Sequence, residues 1–327
     1  MTHSNAPIIQ GWCPGALRPM LSGDGYVVRV RPRGGVLTPA QATGIAALSR
    51  AHGNGLIDLS ARANVQLRGV TATSHPALID GLRALGLIDA TPEAEARRNI
   101  VVTPFWAAGD ATQAIVDTLT LALAADDAPA LPGKFGFAVD TGAMPVLQNV
   151  SADIRIERTA TGDLICRADG CATGAHVTAE SAAATAIALA RWFIRSGGIS
   201  GGRGRMAAHI ARVAMLPEAF LLAQATFAAP PAPAPGPHAK GFLAGFEFGQ
   251  MQAETLGALA TLGPLRVTPW RMLLIEGAYT APQISGLITT PDDPMLRVIA
   301  FTGAPGCPQA LQPTRPLARA LGVHVPP

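Results

Sequence analysis

The chain alternates between two spacings of apolar residues. GYVVRVRP (25–32) sets apolar residues against arginine at every second position, as a half-buried strand does. LTPAQATGIAALSRA (37–51) then takes helical spacing, with Thr38 placed as cap, Pro39 at the first helical position, and Gly53 and Gly55 ending the helix. LIDLSARANVQLRGV (56–70) reads as a strand, a tight polar turn and a second strand, and residues 75–85 as a short amphipathic helix. The strand–helix–strand–strand–helix order predicts a ferredoxin-like α+β unit.

From about residue 99 the texture changes. NIVVTPF is predicted as a buried strand, 110–125 as a helix, then 134–140, 151–158 and 162–169 as strands. Residues 178–196 form a long helix ended by Gly197-Gly198, and GGISGGRGRMAAHI leads into a further short helix. This is a second α+β domain. AAPPAPAPGPH (228–238) is dense in proline and predicts an extended, semi-rigid linker. Beyond it the first pattern recurs. GFLAGFEFG, MQAETLGALATL and PLRVTPWRMLLIEG repeat a Gly-rich strand, a helix and a strand–turn–strand, with Arg271 at the turn as Arg62 is in the first copy. The expected organisation is two ferredoxin-like half domains, 10–95 and 239–298, flanking a central α+β domain at 96–227. The linker is 228–238, and 299–327 forms a last segment.

Composition narrows the function classes. In 327 residues, 49% are hydrophobic and 14% charged, a globular balance. The net charge of +3 does not suit a nucleic-acid binder. The N-terminal MTHSNAPIIQG lacks the basic and apolar regions of a signal peptide, and no apolar run nears the ~20 residues that cross a bilayer. A cytoplasmic protein with no membrane or nucleic-acid partner is expected. Four scattered cysteines do not make a disulfide scaffold.

Arginine is concentrated before residue 100, at Arg29, Arg31, Arg33, Arg62, Arg68, Arg97 and Arg98. Guanidinium groups bind carboxylate or phosphate bidentately, so an Arg-lined sheet face suits an anionic ligand. A solvated strand face would show the same alternation. Arg62, Asn64, Gln66 and Arg68 fall at every second position and would share one face of a strand. LPGKFG presents Lys134, one of only two lysines, between Gly133 and Phe135. FTGAPGC presents Cys307 in a Gly/Pro-rich loop, as in half of an iron–sulfur ligand loop. Cys166 and Cys171, in CRADGC, read as inert thiols about a turn, and Cys13 is unsupported as a ligand.

WCPGALRPMLSGDGYVVRVRPRGG, GNGLIDLSARANVQLRGV, RRNIVVTPF, LPGKFGFAVD, VTPWRMLL and FTGAPGC occur in that order. Together they resemble the precorrin-3B synthase branch of the sulfite/nitrite reductase superfamily, over about residues 10–322. The resemblance implies two ferredoxin-like half domains around a central α+β domain, with 299–327 a remnant of the iron–sulfur domain, a tetrapyrrole (precorrin) substrate, an electron donor and a 4Fe–4S cluster. It implies oxygen-dependent hydroxylation of precorrin-3A with lactone closure. By motif position, the tetrapyrrole-binding basic residues fall on Arg62, Arg98 and Lys134. Asn64, Gln66, Arg68 and Arg271 join them as candidate substrate-binding residues.

The sequence departs from the family in two places. A second lysine of the siroheme enzymes falls on Gly136, so siroheme is not expected. The first cysteine of the cluster loop falls on Phe301, and the second pair, which follows a His-Val dipeptide, has no counterpart after His324-Val325. Cys307 alone cannot hold a cluster that takes four thiolates, so the chain is expected to carry no intact one. A protein that holds precorrin-type tetrapyrroles without turnover is the alternative from another class. A siroheme sulfite or nitrite reductase subunit is a third reading.

Overall fold

The computed structural model describes residues 13–212, 215–224, 231–322 and 324. The N-terminal stretch read for a signal peptide, the start of the proline-rich stretch and Val325 lie outside the described residues. Among those described, no helix is long and apolar enough to cross a membrane.

The first half domain contains β1 (Met20–Ser22), β2 (Gly25–Val30), β3 (Val36–Leu37), α1 (Pro39–His52), β4 (Leu56–Leu59), β5 (Val65–Val70), α2 (His75–Ala84) and α3 (Pro92–Arg97). Thr38 and Gln41 close a reciprocal capping box at the start of α1, with Pro39 in the first turn. The central domain contains β6 (Ile100–Val102), α4 (Ala111–Ala124), β7 (Phe137–Asp140), β8 (Ile154–Arg158), β9 (Leu164–Ala168), β10 (Thr173–His176), α5 (Ala182–Arg195), α6 (Met206–Ile210) and β11 (Ala223–Gln224). Its sheet runs β11-β10-β9-β8-β7-β6, with β6, β7 and β8 parallel. Phe135, Phe137 and Phe193 pack together in its core, beneath α4 and α5.

The second half domain holds β12 (Gly236–His238), β13 (Gly241–Gly245), β14 (Gln250–Gln252), α7 (Ala253–Ala260), β15 (Leu265–Val267) and β16 (Met272–Glu276). It begins inside the stretch expected to be linker. Gly236–His238 pairs with β13 at the edge of the sheet, where a proline removes no interior ladder bond. A last helix, α8 (Arg315–Gly322), follows.

The two half domains exchange a strand. One sheet runs β1-β2-β5-β4-β14 and the other β12-β13-β16-β15-β3, so each is completed by a strand of the other copy. The register repeats as well. Val28 faces Leu67 where Phe242 faces Ile275, and Asp58 faces Gln66 where Arg266 faces Leu274. Helices α1 and α7 lie side by side on the shared apolar side. They bury Ile45, Ala46, Leu256 and Leu259 with Leu67 and Ile275 in one core. Each large aliphatic side chain in that core contributes about 1.5–3 kcal/mol by leaving water.

The repeat corrects one expected equivalence. Ser60 Oγ accepts from the amides of Arg62 and Asn64; Thr268 Oγ1 accepts from those of Trp270 and Met272. Arg62 therefore corresponds to Trp270. Arg271 corresponds to Ala63, and both of these take positive φ, 63° and 52°.

Candidate functional site

The alternation Arg62-Asn64-Gln66-Arg68 does not run along one strand. β5 begins at Val65, and the positive φ of Ala63 turns the chain before it. Gln66 and Arg68 share the polar sheet face, Asn64 is buried at its margin, and Arg62 projects from the turn.

Arg62 Nη2 donates to the carbonyl of Lys134, 3.1 Å away, so these two predicted residues meet despite their separation in sequence. The Lys134 side chain is exposed, with no ion-pair partner among the described residues. Burial pulls Arg62 below the ordinary arginine value. Cys13 and Asp153 act the other way, and Arg205 adds to the depression. Arg205, which sequence reasoning missed, comes from the GGRGRM loop. Its Nε donates to Asp153 Oδ1 at 2.8 Å. The other oxygen of Asp153 accepts from the Gly136 amide at 2.9 Å, so one buried carboxylate fixes both the lysine loop and the Gly-rich loop. The signal available in the sequence was a run of glycines leading to an arginine.

Behind Arg62 lie two more arginines of β2 and its end. Arg29 Nε and Nη2 donate to Gln66 Oε1 at 3.0 and 2.7 Å, and burial, helped by Arg31, brings Arg29 down to about 10. Cys13 contacts this guanidinium and counteracts that shift. Arg31 is only 6% exposed, and its Nε and Nη1 have no hydrogen-bond partner. Its Nη1 lies 3.2 Å from Glu95 Oε1, but without hydrogen-bond alignment, because the Glu95 oxygens accept from the amides of Ala16 and Leu17. Gly15 permits this approach; a Cβ there would stand 2.4 Å from Glu95 Oε2. Burial dominates in pulling Arg31 down, with Glu95 opposing.

Arg98 and Arg68 are committed elsewhere. Arg98 donates to both Asp89 oxygens at 2.8 and 2.7 Å and to the Arg31 carbonyl at 3.0 Å, so it supports Arg31 from below. Arg68 donates to Asp24 at 2.6 and 2.9 Å, approaches Asp58 at 3.4 Å and donates to the Gly306 carbonyl at 3.0 Å. The same carbonyl accepts from Ser22 Oγ and the Gly23 amide. The loop before Cys307 is thus clamped to the first sheet. Arg271 lies in a cavity of the second half domain that none of the other candidates lines.

The cysteines do not fit a four-iron cluster. Cys166 is fully buried in β9, and burial pushes its thiol up to about 12, far from the thiolate a cluster needs. Cys171, just beyond that strand, is also raised by burial. Cys307 follows the Gly306 carbonyl that Arg68 holds to the first sheet, and Phe301 is 62% exposed. Among the described residues no three His, Cys, Asp or Glu side chains gather in a way that would hold a metal.

Two ferredoxin-like half domains that exchange strands, together with a central domain built on a mixed sheet, define the nitrite/sulfite reductase fold. NirA of Mycobacterium tuberculosis superposes with a TM-score of 0.62 over 91% of this chain and 64% of that one, at 17% identity. Residues 18–85 match the nitrite/sulfite reductase ferredoxin-like half domain. The chain is similar to precorrin-3B synthase over part of its length. It is 34% identical to the Sinorhizobium sp. enzyme over 164 residues, which are 48% of this chain and 34% of that one. The chloroplastic ferredoxin–nitrite reductase of Zea mays is 38% identical over 94 residues, 28% of this chain and 16% of that one. The matched stretch thus spans about a third of the synthase. These relatives are oxidoreductases.

Proposed function

We propose that the chain binds a polycarboxylate tetrapyrrole of the precorrin type in the cleft between the first half domain and the central domain. The supporting observation is a group of buried or half-buried cations, Arg29, Arg31, Arg62 and Arg205, that outnumber the acids paired with them, Glu95 against Arg31 and Asp153 against Arg205. Arg31 has unpartnered nitrogens, Arg62 holds only a carbonyl, and Arg29 is depressed to about 10. Buried cations of this kind gain most when an anion arrives, through charge-assisted hydrogen bonds in a poorly solvated site. Acetate and propionate arms of a precorrin supply several such anions on one rigid ring. Lys134, exposed beside Arg62, can receive a further arm.

In the precorrin-3B synthase reading, the bound ring is precorrin-3A, to be hydroxylated with oxygen and closed to a lactone. That chemistry needs electrons, and the four cysteines of this chain supply no cluster to carry them. Binding and orientation are what these residues support. A sulfite or nitrite reductase role is disfavoured by Gly136. A Cβ there would stand 2.6 Å from Asn99 Nδ2 and 3.1 Å from its carbonyl, so the second lysine has no room.

An absorption titration with uroporphyrin, against its fully esterified form, tests the reading. The acid form should bind saturably and the ester weakly. Arg62→Ala should weaken the acid by about 1.5–3 kcal/mol, the range for a hydrogen bond to a charged group. Equal binding of ester and acid, or an unchanged affinity in the variant, would sink the proposal.

A further inference from the structure

The second half domain has a cavity of about 250 Å3 outside the basic cleft. Phe246, Phe248, Trp270, Met272 and Met295 line it, and Arg271 is its one ionised side chain. Arg271 is half-buried and has no acidic partner among the described residues. Glu247 is paired with Arg319, and Asp58 is shared by Arg68, Gln250 and Arg315. Arg315 lies over the Phe248 ring, 5.5 Å from its centroid, with a buried Nε that lacks a partner. The region around the cavity therefore holds cations in excess of acids.

The backbone carries a second, independent sign. Only three described non-glycine residues take positive φ, and two of them, Phe248 at 57° and Arg271 at 63°, line this cavity. The matching positions of the first half domain are Gly34 and Ala63. A bulky residue is strained in that region, and strained residues gather at ligand clamps. Here the strain places an aromatic ring and a guanidinium at the same cavity. Met272 and Met295 add adaptable, polarisable walls.

We infer that this cavity is a binding site for a small apolar carboxylate, whose tail packs among Phe246, Phe248, Trp270 and the methionines while Arg271 takes its carboxylate. Its volume lies just below the range of about 300–1,000 Å3 for drug-sized ligands, so a short-chain or single-ring acid fits and a tetrapyrrole does not. The inference stands apart from the tetrapyrrole reading, because no residue lining the cavity belongs to the Arg29–Arg31–Arg62 cleft.

Calorimetric titration of the full chain with octanoate, octan-1-ol and acetate tests it. Octanoate should bind saturably, with the neutral alcohol and the tailless acid at least tenfold weaker. Arg271→Gly removes the cation and suits the positive φ. It should melt no lower than the parent protein yet bind octanoate at least tenfold more weakly, with uroporphyrin binding unchanged. Arg271→Gln provides the same loss of charge if the glycine variant folds poorly. Octanoate affinity unchanged in either folded variant, equal binding of octanoate and octan-1-ol, or no saturable octanoate binding would each overturn the assignment.

Discussion

The first half domain presents Arg29, Arg31, Gln66 and Arg68 on the sheet face that the second fills, in the same register, with Leu243, Gly245, Leu274 and Glu276. One face carries three arginines, two of them held in ion pairs. The other is a small apolar core of Leu243, Met272 and Leu274, covered by Phe105 and Trp270. Even the ion pair is inverted. Asp58 and Arg68 in the first copy become Arg266 and Glu276 in the second, the latter pair 2.9 Å apart. The main-chain scaffold is common to both, and the residues carried on one sheet face make the difference. Inverted charges preserve the pairing while moving the guanidinium to the other strand. There Arg266 holds the carbonyls of Pro104 and Trp106 and stacks on the Trp106 ring, tying the second half domain to the central one.

The two ion pairs offer the largest test. Arg68→Ala leaves the partly buried Asp24 without its cation and Asp58 with the more distant Arg315, and should cost about 3–5 kcal/mol in urea unfolding, as breaking a buried pair does. Glu276→Ala should cost less, about 1.5–3 kcal/mol, because Glu276 is partly exposed and Arg266 keeps its two carbonyls. Equal losses would show that the two pairs are not differently committed. Exchanging the face residues comes next. Leu274→Gln buries an amide in the apolar core and should cost about 1–3 kcal/mol. Gln66→Leu, on a face that already meets solvent, should stay under about 1.5 kcal/mol. A reversed order in denaturant midpoints would break the assignment of faces. The smallest effect concerns the turns. Ala63→Gly and Arg271→Gly should each stabilise by up to about 1 kcal/mol, through release of a left-handed conformation. A loss in differential scanning calorimetry would show that side-chain packing outweighs the strain.

The architecture was legible because periodicity and turn chemistry carry it: the Thr38 cap before Pro39, the Gly-ended helix and the recurrent strand–helix–strand–strand order. The turn equivalence was misjudged by one position because it rested on a shared arginine. The physical marker was the hydroxyl, Ser60 and Thr268, that accepts two amides in each turn. The meeting of Arg62 with the Lys134 loop was legible through family motifs, since their separation in sequence hides it. Arg98 could not be told from a free ligand-binding arginine, as its partner Asp89 is a contact between the ends of a helix-containing segment that no spacing rule predicts. Arg205 was missed for the same reason: Asp153 and the Gly136 amide, which fix its loop, lie on other elements.

The exchange of β3 and β14 also sets the order in which the molecule can be made. The edge of β4 is covered by β14, and β15 is covered by β3, so each sheet is completed by a segment some two hundred residues away in sequence, and the first must wait for its own. During synthesis the first half domain leaves the ribosome with a bare strand edge, and it stays bare while the whole central domain emerges. Such long-range pairing is slow to form, and open edges invite pairing with other chains. The central domain, with its own core, is free to fold in that interval. A nascent chain halted before residue 250 would hold a finished middle and an unfinished beginning, and the burden of keeping that beginning soluble falls on the chaperones that meet it.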